Sequence, residues 1–117
     1  MTTNQQQPGA RSFVALEVAL AIIGSLRDVV TVVRRNDVHI AQQIVRAASS
    51  IAADLAEGNG RVGRDRVRFF RIAAGSAEET RVHLRVALAW GWVRTSEIQK
   101  SLDLIDREVA LLWRLTH

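Results

Sequence analysis

Residues 55–80 read LAEGNGRVGRDRVRFFRIAAGSAEET, and the fold turns on whether the glycines cradle a phosphate or turn a chain. The run from Gly58 to Gly63, GNGRVG, superficially matches a dinucleotide-binding glycine loop. That loop needs a β-strand before it and a helix after it within a βαβ unit. Here the preceding residues Ile40, Ile44, Ala47, Ala48, Ile51 and Leu55 fall three and four apart, the period of an amphipathic helix. A second such run follows at Phe70, Ala73, Ala77, Leu84 and Leu88, and no Gly-Lys-Ser/Thr phosphate loop occurs. The glycines therefore read as a turn between antiparallel helices. Gly58 is expected as a left-handed C-cap, and Gly60 and Gly63 as the residues that free the connection.

Working outward, the second helix spans about Val38 to Glu57, and the third about Arg64 to Trp90, closed by Gly91. Asn36 or Asp37 can cap the second by accepting its orphan backbone N–H groups. A first helix is expected from about Phe13 to Arg34, with the stripe Leu16, Leu20, Ile23, Val30 and Val33. Val18, Ile22, Val29 and Val32 lie beside that stripe, so the apolar surface is wider than one core needs and predicts a second buried contact. A fourth helix starts at residues 95–99, TSEIQ, where Ser96 and Gln99 suit a capping box. Its stripe is Ile98, Leu102, Ile105, Val109 and Leu112. The expected fold is all-α, an antiparallel up-down-up-down four-helix bundle over residues 13–117 behind a flexible tail of residues 1–12.

Composition narrows the chemistry. With no cysteine there is no disulfide framework, thiolate nucleophile or zinc-thiolate site. The polar start lacks a signal-peptide pattern, and the apolar run Val18–Leu26 is far shorter than a membrane span. A cytoplasmic protein without membrane contact is the expectation. The net charge of +4 comes from arginine, with one lysine in the chain. Arginine's planar fork suits phosphate and carboxylate alike.

Glu79 and His83 are four apart, but no Glu-x-x-His pair exists for a bundle di-metal site, and no cofactor is expected. Asp54, Glu57 and Glu79 instead suggest pairs with Arg46, Arg61 or Arg81. The strongest binding candidates are Arg61, Arg64, Arg66, Arg68 and Arg71, opposed only by Asp65, with Arg81 and Arg85 extending the same helix. They could contact RNA or DNA phosphates, or form ion pairs with neighbouring subunits in a purely protein-binding module. No aromatic platform is apparent beside them, because Phe69 and Phe70 read as core. Trp90, Trp92 and Trp113 lie at helix ends.

Three groups of residues fall in a distinctive order: Gln43, Ile44, Arg46, Ala47, Ser50 and Ile51; then Ala56, Glu57, Gly58, Gly60 and Arg61; then Gly75, Ser76 and Glu79. In these the chain resembles the small helical-bundle proteins of 23S rRNA intervening sequences, a group that includes the accessory variability protein of diversity-generating retroelements. The resemblance spans about Phe13 to Leu115. It implies a bundle assembling as a barrel-like homopentamer, no enzymatic activity, and, for the retroelement member, binding to nucleic acid and a reverse transcriptase. It also makes Gln43, Arg46, Asp54, Glu57, Gly58, Gly60, Arg61, Gly75, Ser76 and Glu79 a structural polar motif. Three positions depart from the family pattern: Asp54 replaces a common Asn, Ala52 a frequent Pro, and Ala19 a large residue.

Overall fold

The computed structural model describes residues 10–117, with side chains from Val14 onward. The tail expected over residues 1–12 lies, as far as Gly9, outside the described residues. Among the described residues there are five helices: α1 (Ala10–Ser25), α2 (Arg27–Asn36), α3 (Val38–Asn59), α4 (Gly63–Ala89) and α5 (Thr95–Thr116). The expectation of four is thereby corrected: the first helix is two.

The break has a local cause. The Ser25 hydroxyl donates to the Ile22 carbonyl at 2.7 Å and bonds to the Ser101 hydroxyl on α5 at 2.8 Å. The Leu26 N–H bonds instead to Ile23 O at 3.0 Å, one residue short of the α-helical register. A Gly-Ser pair with a hydroxyl inserted in the ladder is a recognised origin of a helix break. Asp37 alone separates α2 from α3, and its carboxylate accepts the Ile40 N–H at 2.9 Å.

In cross-section α1, α3, α4 and α5 form a four-cornered ring, each packed on two neighbours, while α2 continues along α3. The bundle measures 45 × 26 × 20 Å. The α3 stripe is buried as expected from Ile44 through Leu55. Two other stripes match the expected face only in part. In the first arm the core takes Ala15, Val18, Ala19, Ile22, Leu26, Val29 and Val33, and Leu20 points outward, 49% exposed. On α5 the core side is Ile98, Ser101, Ile105, Glu108 and Leu112, with Leu102 and Val109 only half-buried.

Two expected caps are also relocated. Gly58 is an interior residue of α3, not its left-handed end. The positive-φ glycines are Gly63 (60°) and Gly91 (78°). Gly58 is needed for closeness: a Cβ there would lie 2.8 Å from Phe70 Cε1 and 2.9 Å from Phe69 Cβ. Gly91 does close α4, its N–H on Leu88 O and the Trp92 N–H on Ala87 O, which is the Schellman pattern. At the start of α5, Glu97 rather than Gln99 reaches back, accepting the Arg94 N–H at 2.8 Å.

Candidate nucleic-acid interface

The sequence motif Gln43, Arg46 and Glu79 converges on one network between α3 and α4. The Arg46 guanidinium donates to Gln43 Oε1 and to Glu79 Oε2, each at 2.6 Å. His83, one turn along α4, lies 3.3 Å from the same Glu79 oxygen. Residues placed here by the i, i+3 and i, i+4 geometry of two helices strap those helices together at the surface. Asp54 takes no part. Burial and then Glu57 push its carboxyl above the usual range. Ser76 contributes its carbonyl, which accepts the Thr80 hydroxyl at 2.8 Å. Gly75 is exposed in mid-α4 with nothing within 4 Å of a Cβ placed there, so no packing within the chain explains it.

The arginines divide into two sets. Arg61 bonds Glu57 at 3.0 Å and Asp65 at 2.7 Å, and Arg68 bonds the other Asp65 oxygen at 2.9 Å. Their guanidiniums also lie 5.1 and 4.5 Å from the Phe69 ring centroid, so Phe69 is a half-buried cation platform rather than core. The hydrogen bonds from Arg68 and Arg61 hold the Asp65 carboxyl below its ordinary range. Arg66 bonds Asn59 at 3.4 Å and lies 5.3 Å from the Phe70 ring centroid. Arg81 pairs with Glu78 at 2.9 Å and with Asp106, tying α4 to α5.

Arg64, Arg71 and Arg85 form the second set. All are exposed, and no ion pair or hydrogen bond joins their side chains to other described residues. With Glu78 they recur every seven residues along one line of α4, about 10 Å apart at the helical rise. Glu78 is already engaged by Arg81. Arg64, Arg68 and Arg71 line an open groove with Gly63, Val67, Ile72 and Thr116, Arg68 being already held by Asp65.

The opposite flank is apolar. Ile23, Leu26, Val30, Ile44, Val45 and Ala48 line a cavity of about 310 Å³ between the first arm and α3, with Arg27 and Arg34 on its rim. Leu20, Val38 and Val45 stand exposed on these same helices.

Two features had no counterpart in the sequence reading. Trp113 stacks on His117 with ring centroids 4.3 Å apart, close to the arginine groove. Glu108 is fully buried, and both its carboxylate oxygens lack a hydrogen-bond partner. Among the described residues no group of His, Asp or Glu is arranged to hold a metal ion, and no helix is long and apolar enough to cross a membrane.

A small all-helical bundle with an arginine-lined flank is the class that fold and surface define. The chain belongs to the 23S rRNA-intervening sequence protein family, whose model matches residues 15–114. No curated protein and no solved structure matches it.

Proposed function

We infer that the chain is a non-enzymatic assembly module of the cytoplasm that binds nucleic acid through the outer face of α4. The observation behind this reading is the division of the arginines. Arg61, Arg68 and Arg81 are engaged by carboxylates of the same chain, while Arg64, Arg71 and Arg85 sit unpaired along one line. Three unpaired guanidiniums on one face of a helix suit a polyanion, with Glu78 interrupting the line between Arg71 and Arg85. Contacts of this kind read phosphate rather than sequence.

Self-association uses the other flank. The apolar cavity between the first arm and α3, with Leu20, Val38 and Val45 exposed on the same helices, supports the second buried contact that the wide first-helix pattern predicts. Five copies is the number we propose, as the family resemblance implies. The competing reading, a purely protein-binding module whose arginines pair across subunits, draws on the same unpaired side chains. Fluorescence anisotropy with labelled RNA, duplex DNA and single-stranded DNA at low salt tests the difference. Binding that weakens steeply with salt supports the nucleic-acid reading. No binding, with dissociation of the oligomer on Arg64→Gln/Arg71→Gln substitution, supports the intersubunit one. Light scattering at several concentrations tests self-association.

A further inference from the structure

We propose that the seam between α4 and α5 takes single-stranded nucleic acid, with Trp113 as the platform on which a base stacks. This rests on the nucleic-acid reading above and specifies the form of the ligand.

Trp113 lies on the last turns of α5 and is 60% exposed. Its ring is not loose. It stacks on His117 with an interplanar angle of 7°, and His117 Nδ1 lies 3.0 Å from the Trp113 carbonyl. Thr116 fixes the same turn, its hydroxyl donating to Leu112 O at 2.8 Å. A flat aromatic pair held by its own helix end is oriented before any ligand arrives, so little ordering entropy remains to be lost on stacking.

The groove beside Trp113 is lined by Val109, Ala110, Arg81, Asp106 and Arg114. Its one carboxylate, Asp106, is paired with Arg81, which Glu78 shares, and Arg114 adds a second guanidinium to the groove. The second groove, with Arg64, Arg68 and Arg71, is bordered by Thr116, three residues beyond Trp113. The two grooves therefore follow one another along the same seam, an apolar aromatic stretch continuing into a cationic one. Gly75, bare on α4 four residues beyond Arg71, leaves the backbone open to close approach on this helix.

That pairing of chemistries selects a single strand. Within a duplex each base already has both faces covered by its neighbours, so an exposed indole adds nothing to phosphate contacts. An unpaired base has a free π-face and gains from stacking whatever its identity. The aromatic platform that the sequence reading found missing beside Phe69 is supplied across the seam by α5.

The test compares the intact chain with Trp113→Ala, using labelled oligothymidylate and its duplex with oligoadenylate at low salt. We expect the variant to bind the single strand about tenfold more weakly, while duplex binding is unchanged. In a Trp90→Phe/Trp92→Phe background, the remaining indole fluorescence should be quenched by oligothymidylate. If Trp113→Ala binds both probes like the parent while Arg64→Gln/Arg71→Gln loses both, the stacking proposal fails and the phosphate reading stands. If neither probe binds the parent, both fail. If Trp113→Ala changes the sedimentation coefficient instead, Trp113 belongs to a contact between copies and the proposal is overturned. Circular dichroism of the variant confirms that helicity is retained.

Discussion

Gly58 of α3 and Phe70 of α4 are in direct backbone-to-ring contact, so close that a Cβ on Gly58 would fall 2.8 Å from Phe70 Cε1. The closeness fixes how the two helices approach, and hence where the arginines that follow Gly60 are presented.

Gly58→Ala is therefore destabilising. Overpacking of this kind costs about 1–3 kcal/mol, and alanine's better helix propensity returns about 1 kcal/mol. The neighbour at 2.9 Å is Phe69 Cβ, which cannot swing away without moving its backbone. Urea unfolding should show a net loss of up to about 2 kcal/mol. Gly60→Ala serves as the control, because its new Cβ would meet only Glu57 O at 3.7 Å. It should be close to neutral.

Glu108 makes stability depend on pH. Burial pushes its carboxyl up to about 8, while Arg107 on the same helix pulls weakly the other way. The folded pKa lies above the unfolded value of 4.5, so the folded state holds a proton that the unfolded state has released. Stability from this group is fully present below pH 4.5, declines as pH rises toward about 8, and levels beyond it. The slope should approach about 1.4 kcal/mol per pH unit within that window. Urea unfolding between pH 5 and 8 measures it. Glu108→Gln should flatten the profile, and Glu108→Met should raise stability at neutral pH. An unchanged slope in Glu108→Gln would assign the dependence to another group.

The fold was legible where apolar residues stand alone on one face. In α3 the stripe from Ile44 to Leu55 sits between an Asp cap and a glycine turn, and its burial followed. In the first arm and α5 large apolar residues surround the helix, so the pattern marks a helix without choosing its face. In the first arm the core took the small residues Ala15 and Ala19, which allow close approach, beside Val18 and Ile22, and left Leu20 outside. The helix break was missed because Ser25 looks polar and local, whereas its effect depends on Ser101, distant in sequence. For the site, Arg61's partners at i−4 and i+4 are readable from spacing, but Asp106, which engages Arg81, comes from another helix. Charge could be counted in the sequence; which charges remain unpaired could not.

The Ser25–Ser101 bond is expected to couple α1 to α5. Ser25→Ala would leave the buried Ser101 hydroxyl without this partner, costing about 1–2 kcal/mol. The double variant Ser25→Ala/Ser101→Ala should recover part of that loss. A double-mutant cycle on unfolding free energies reads the coupling directly, and strict additivity would show that the hydroxyls act independently.

The Arg46–Glu79 strap, by contrast, should matter little to stability. Both side chains are more than a third exposed, and pairs in that setting contribute about 0.2–1 kcal/mol. Arg46→Ala should lower unfolding free energy by no more than about 1 kcal/mol, and less at high salt.

The most direct test of the central claim is the salt dependence of nucleic-acid affinity in Arg64→Gln/Arg71→Gln/Arg85→Gln against the parent chain. If these unpaired arginines contact phosphates, the slope of log K against log[salt] for a single strand becomes shallower by about 2, as the loss of three contacts requires. Arg61→Gln/Arg68→Gln, which removes arginines already engaged by Glu57 and Asp65, should change it far less. An unchanged slope in the triple variant would contradict the account.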